Sequence, residues 1–415
     1  PRHGLEAVRD GREPVLKTLL PRGGHRRIRA TVERLVQRND FVGVDVLPPL
    51  HVAAGQLDLR FVGFRAGVAE ERLSKVAQGQ QFLGQFKLFF LIEEIAHMDE
   101  LAGLFLGLGS IGTRHLKNLT AICAQRGLAL RADALRSDLA RPLRPGAAEL
   151  LHSQFTTLQD SAALPHYDLA FITNPTSLHA QALEEIRGLA DALFIEKPIV
   201  SAEQTDVDLA TLLPAGQKAY VAAPMRWCGT MLALKNHLPG LRPYSARVIC
   251  SSYLPDWRPG VDYRTVYSAH KALGGGVTID LIHEWDYLVD LFGVPETICN
   301  MRGKYSDLEI DSDDLSIYIA QYPTLLAEVH LDYFGRTYRR SIELFCKDGS
   351  CVADFGAGTL TLPNGAVEHY EEDVNERYLR EMNYFLDYAA GEETESLNPP
   401  TTALQVLKLT LGEQQ

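Results

Sequence analysis

"LFLGLGSIGTRHLKNL", Leu104 to Leu119, sets an apolar run directly ahead of Gly107, Gly109 and Gly112 and follows them with a helix-forming stretch. Three glycines in GxGxxG spacing say little alone, but between a strand and a helix they acquire a mechanical reading. Gly107 permits the tight turn, Gly109 lets the backbone approach a diphosphate, and Gly112 lets helix and strand pack closely. Ser110 and Ile111 complete the loop, where the unpaired N–H groups of the helix start face the phosphates. The stretch therefore predicts a dinucleotide-binding turn at the edge of a parallel sheet.

The surrounding pattern agrees. "LAGLFLG", "LALRADALR", "YDLAFIT", "DALFIEKP" and "KAYVAAP" read as strands, and "IGTRHLKNLTAICAQRG" and "HAQALEEIRGLA" as helices between them. Such alternation predicts an α/β Rossmann domain, a doubly wound parallel sheet covered by helices, over residues 98–223. Beyond Met225 the runs become longer and β-rich, as in "YSARVICSSYL", "LLAEVHLDYF" and "RRSIELFCKDGSCVADF". Residues 224–415 are expected to form an α+β domain with a large, mostly antiparallel open sheet and C-terminal helices. Residues 1–97 are different: their 15 Lys and Arg outnumber 11 Asp and Glu, whereas the whole chain carries −12. They hold no motif, and Met98 stands just before the first strand. The expectation is an N-terminal extension or a mis-assigned upstream reading frame, with the functional polypeptide starting at or near Met98; the alternative is an accessory domain.

Composition limits the function classes. The chain has 415 residues, 46% hydrophobic and 23% charged, as in a soluble globular protein. Its net charge of −12 argues against nucleic acid or an anionic membrane as a main partner. No apolar run is long enough to cross a bilayer, and the first residues lack the core of a secretory signal, so the expected location is the cytoplasm. Six cysteines are scattered without a CxxC pair or a histidine at ligand spacing. No metal is expected.

The end of the second strand selects the cofactor. NAD sites carry an acidic residue there and NADP sites present arginine. "LALRADALRSD" ends at Leu135, which puts Arg136 and Ser137 in that position and favours NADP. A register slip toward Asp133 or Asp138 would restore NAD. Lys197 follows another strand, where ligands of such sheets bind, and is expected to hold the reacting oxygen.

"GGGVTIDLIHEWDYLVDLFG", Gly274 to Gly293, reads as one amphipathic helix with Asp280, His283, Glu284, Asp286 and Asp290 on its polar side. His283 titrates near neutral pH, and Asp280 three residues earlier would orient it. The three glycines suggest close backbone approach to a cofactor. Glu284, Asp286 and Asp290 are read as solvated charges. Upstream, Trp257, Arg258, Tyr263 and Arg264 offer aromatic faces for a sugar ring and guanidinium groups for an acid, or else brace a loop at a subunit interface, and Arg226 is placed to contact cofactor or substrate.

Taken together, the glycine fingerprint, Arg114-His115, Asn174-Pro175 with His179, Glu196-Lys197-Pro198 and the 274–293 segment resemble the Gfo/Idh/MocA oxidoreductase family. The resemblance runs from Met98 to near the C-terminus. It implies NAD(P)-dependent hydride transfer on sugars, polyols or acidic and nucleotide-linked sugar derivatives. It also implies cofactor contacts from Asn174, Pro175, His179, Glu196 and Lys197, catalysis by Lys197, His283 and Asp280, and a homodimer or homotetramer joined through the open β-sheet. One departure stands out: much of the family reads D-x-x-x-H, whereas here His283 comes three residues after Asp280 and Glu284 takes the usual place, so either His283 carries the proton in a shifted frame or Lys197 carries it and His283 binds substrate. The alternative within this fold is a non-catalytic dinucleotide-binding sensor.

Overall fold

The computed structural model describes residues 100–413, so the extension expected over 1–97 lies outside the described residues. The first sheet is parallel throughout, with strands β1 (Glu100–Leu106), β2 (Ala129–Leu135), β3 (Ser153–Phe155), β4 (Tyr167–Ile172), β5 (Ala190–Ile195) and β6 (Lys218–Val221). Their order is β3-β2-β1-β4-β5-β6. Leu104, Phe105, Phe171, Phe194 and Ile195 are fully buried, as expected of strands covered on both faces. Order reverses between β1 and β4, and that switch point opens the crevice in which such sheets bind ligands.

Helix α1 (Ser110–Gln125) starts at Gly109 and buries Leu116, Leu119, Ile122 and Cys123 along one stripe. A short helix, α2 (His179–Glu185), follows β4. Helix α3 (Gly229–Leu241) then leads out of the parallel sheet into β7 (Ser245–Tyr253).

The second sheet has order β14-β13-β12-β11-β7-β10-β9-β8. Its members are β7, β8 (Thr297–Gly303), β9 (Leu315–Gln321), β10 (Leu326–Asp332), β11 (Phe334–Cys346), β12 (Gly349–Asp354), β13 (Thr359–Thr361) and β14 (Val367–His369). Every pairing is antiparallel except β7 with β10. The period of two sorts the faces. Ser316, Tyr318 and Ala320 of β9 are buried, while Ile317 and Ile319 point outward beside Met301 of β8, which is 71% exposed.

The 274–293 segment is not one helix. It forms α4 (Val277–Asp280) and α5 (His283–Phe292), parted at Leu281 and Ile282. Its polar side is not solvated either. Glu284 is wholly buried and accepts from Arg340 Nε at 2.7 Å and Nη2 at 3.1 Å, and Asp286 is bound by Arg226. Asp290 takes Lys235 at 2.7 Å. A buried carboxylate needs such a partner, and these arginines come from segments too far along the chain for local spacing to show them. The glycines also have an internal reason. A Cβ on Gly275 would lie 2.1 Å from the Tyr267 carbonyl oxygen, and one on Gly276 would lie 2.1 Å from Asp313 Oδ1. Gly275 and Gly276 thus let the helix start pack on its own neighbours, whereas nothing lies within 4 Å of a Cβ added at Gly274.

Two C-terminal helices close the molecule. Helix α6 (Val374–Ala390) returns to the first sheet, where Phe385 packs on Phe194 and Phe171 with ring centroids 5.2 and 5.7 Å away. Helix α7 (Pro400–Thr410) contacts α5 and β6. No helix among the described residues is long and apolar enough to cross a membrane.

Candidate functional site

At the switch point, Gly107 has φ +89°, and a Cβ there would lie 2.8 Å from the Asn174 Cα. The loops after β1 and β4 thus touch, and only glycine fits. Gly112 is equally confined, with Gly107 O and Thr173 Oγ1 each 2.6 Å from an added Cβ. Gly109 differs: nothing lies within 4 Å of the same probe position, so its backbone faces open space. No side chain caps α1 at Gly109, which leaves the N–H groups of Ser110 and Ile111 available at the positive end of the helix. Asn174 Oδ1 is buried without a hydrogen-bond partner among the described residues. An open glycine backbone, an uncapped helix and an unmet acceptor fit a dinucleotide diphosphate and its ribose.

Gly107 N–H donates to Leu135 O at 3.1 Å, so the end of β2 borders the same crevice. Arg136 and Ser137 follow directly. The Arg136 guanidinium donates to Gln154 Oε1 at 2.7 Å and to the Arg141 carbonyl, both neutral acceptors. Asp133 is fully buried and accepts from Tyr167 Oη at 3.0 Å and Arg131 Nε at 3.1 Å. Asp138 accepts from Ala140 N–H.

Two residues expected among the cofactor contacts are spent internally. His179 is buried, with Nδ1 2.9 Å from Pro198 O and Nε2 3.0 Å from Asn174 O, so it clips the loop after β4 to the loop after β5. Burial pulls its proton affinity down. Pro175 opens the turn between Asn174 and this histidine. Glu196 holds His115 of α1 at 2.6 Å and accepts from the Lys197 N–H at 3.1 Å. Burial alone would raise the Glu196 carboxyl, but the hydrogen bond and charge of His115, with Lys197 beside it, hold it below the usual range. Both side chains position the Lys197 backbone.

Lys197 and His283 come together. Both line one small hollow with Pro198, Val221, Ile282 and Asn398. Lys197 Nζ reaches the Asp280 carbonyl at 3.4 Å. Neither ring nitrogen of His283 has a hydrogen-bond partner among the described residues, and its proton affinity is pushed well down by burial, then by Lys197, Arg340 and Arg377. Burial therefore favours the neutral imidazole.

Asp280 does not orient His283. The break between α4 and α5 separates their faces, and the Asp280 carboxylate accepts from the phenols of Tyr267 and Tyr333 instead. Arg226 is also not free for substrate. It spends Nε and Nη2 on Asp286 at 2.9 and 2.7 Å, Nη1 on Leu397 O and Nη2 again on Asn398. Trp257, Arg258 and Tyr263 line a second small hollow with Leu254, Val261 and Val266. It borders the Asp280 cluster: Trp257 meets Tyr333 edge-on at 5.2 Å, and Arg258 lies 6.0 Å over the Tyr267 ring. Arg264 turns outward onto Asp262 at 2.9 Å and Glu309 at 3.0 Å. Tyr267, Tyr333, Arg340 and Arg377 escaped sequence reasoning because no motif or local spacing ties them to the residues they touch.

The chain is similar to known proteins along most of the described length. An uncharacterised oxidoreductase, YrbE of Bacillus subtilis (strain 168), is 22% identical over 298 residues, 66% of this chain and 83% of its own. A levoglucosan dehydrogenase solved with NADH and levoglucosan shares the fold with TM-score 0.61 at 16% identity, covering 76% of this chain and 96% of its own. The UDP-N-acetylglucosamine 3-dehydrogenase GnnA of Acidithiobacillus ferrooxidans does so with TM-score 0.58 at 18% identity, covering 76% and 97%. Residues 102–221, within the first of the two domains, match the model of the Gfo/Idh/MocA oxidoreductase family with an NAD-binding Rossmann fold.

Proposed function

We propose that the protein is a dehydrogenase or reductase that prefers NADP over NAD and moves a hydride between nicotinamide and a hydroxyl or keto carbon of a carbohydrate-like substrate. The observation that carries this reading is the meeting of Lys197 and His283, from distant parts of the chain, in one hollow at the end of β5, whose loop His179 clips to the loop after β4. Nicotinamide, when bound, accepts or supplies the hydride. Lys197 holds the reacting oxygen through its ammonium group. His283, neutral and without a protein partner, takes the alcohol proton or is the route by which it returns. Asp280, clamped by two phenols, fixes the backbone carbonyl that holds Lys197. The solved relatives named above act on sugars, which supports that substrate class.

NADP preference rests on β2: Arg136 ends it without a carboxylate partner, and Asp133 is consumed in the interior. Changing Arg136 to Ala is expected to weaken NADPH by about 10–100-fold, the worth of a hydrogen bond to a charged group, while NADH changes little. Fluorescence titration with both cofactors checks this, and equal losses would return the site to NAD. Turnover itself is tested by following nicotinamide absorbance against a panel of sugars and polyols. The outward face with Ile317, Ile319 and Met301 suits self-association through the second sheet, which light scattering at several concentrations would report.

A further inference from the structure

The pair Arg114-His115 divides on helix α1. Arg114 lays its guanidinium 4.5 Å over the Tyr378 ring of α6. His115 is fully buried among Phe194, Tyr378 and Phe171, with ring centroids 4.7, 6.1 and 6.5 Å away. Into this aromatic surround it carries one polar contact, Nε2 to Glu196 Oε1 at 2.6 Å. Glu196 is held as a carboxylate, an acceptor only, so Nε2 is the donor. Nδ1 is left buried without a partner among the described residues.

As structure alone this pair is a poor choice. Apolar side chains of like volume in place of a buried polar pair are often neutral or stabilising, and here they would leave no bare nitrogen and no carboxylate to satisfy. What the pair supplies lies at the other carboxylate oxygen. Glu196 Oε2 accepts from the Lys197 N–H at 3.1 Å. Phe194 and Glu196 share the face of the strand that α1 covers, while alternation sends Lys197 to the opposite face, into the hollow with His283. The carboxylate therefore fixes the backbone where the chain turns Lys197 toward that hollow, and the imidazole fixes the carboxylate. A glutamate has several rotamers open to it, and the 2.6 Å bond selects this one.

We infer that His115 is a positioning residue that, through Glu196, ties Lys197 to α1, the helix whose first N–H groups face the cofactor diphosphate. Cofactor grip and the amine that holds the reacting oxygen then share one rigid frame. The kinetic effect of this tie rests on the hydride-transfer reading above, whereas the placement of Lys197 does not.

Two readouts on the full chain test it. The first needs no substrate: brief labelling with acetic anhydride, followed by peptide mass spectrometry, gives the reactivity of each lysine. In H115L the Lys197 amine is expected to label about 3–10-fold faster than in the parent, the worth of one lost hydrogen bond, with the other lysines unchanged. H115Q, whose amide N–H reaches the carboxylate in place of Nε2, should keep the parent rate. If H115L does not fold, H115N, polar but too short to reach Glu196, carries the same expectation. The second readout is a double-mutant cycle on single-turnover rates. H115L is expected to lower the rate about 10–100-fold, as a misplaced reacting group does, with substrate KM and NADPH affinity unchanged. In a K197A background it should lower the rate no further, because no amine remains to be placed. A packing role alone would cut both backgrounds by the same factor. That outcome, or unchanged Lys197 labelling in the variants that fold, would overturn the inference. Faster labelling with no change in nicotinamide absorbance on any sugar would leave it standing and remove hydride transfer. Turnover that tolerates H115L with Lys197 labelling unchanged would do the reverse.

Discussion

Replacing Lys197 by alanine is expected to lower turnover by about 10³-fold, within the range of lost proton handling at a reacting oxygen, with only a few-fold loss of NADPH affinity. The reason is positional. Lys197 follows β5, its N–H is fixed by Glu196, and its ammonium extends toward Asp280 and the hollow shared with His283. The diphosphate contacts lie elsewhere, on the Gly107–Gly112 loop, so binding and chemistry should separate in this variant. Steady-state kinetics paired with cofactor titration reads both. Near-normal turnover would remove Lys197 from the reaction, whereas parallel collapse of binding and turnover would make it a cofactor ligand.

Changing Arg226 to methionine should cost about 3–5 kcal/mol of folding stability, the usual consequence of stranding one member of a buried ion pair. Arg226 is 7% exposed and joins Asp286 of α5, the Leu397 carbonyl and Asn398 just before α7. Asn398 in turn exchanges hydrogen bonds with Val221 at the end of β6. Removing the cation leaves Asp286 buried with Asn398 as its nearest donor, at 3.4 Å. Urea denaturation measures the loss. A midpoint within experimental error of the parent would mean that the pair is solvated in solution and that Arg226 is available to substrate after all.

These two arginine and lysine positions show how far a sequence can be read. The glycine loop, the end of β2 at Leu135 and the crossover pattern were legible because each depends on local spacing: a turn that only glycine makes, a strand that stops, an apolar stripe. Lys197 was legible because its place at a strand end fixes the side of the sheet on which it lies. The 274–293 segment misled for the opposite reason. Its period of 3.6 shows an apolar and a polar face, but periodicity cannot show that the polar face also meets protein. Glu284, Asp286 and Asp290 look solvated until Arg340, Arg226 and Lys235 arrive from other elements. The break at Leu281, which gives Asp280 to two tyrosines and leaves His283 facing the hollow, carries no glycine or proline to announce it. Helix α6 was visible as a helix, but not its return to the first sheet, where Phe385 packs on Phe194 and Phe171.

A crystal structure with NADPH bound tests the central claim most directly. The account predicts the diphosphate on the Gly107–Gly112 loop and the nicotinamide turned to the Lys197–His283 hollow. It also predicts room for one carbon–oxygen group about 3–3.5 Å from the ring, within hydrogen-bond reach of both side chains. A nicotinamide bound away from that hollow, or a Lys197 ammonium directed to bulk solvent with His283 sealed from the ring, would contradict it.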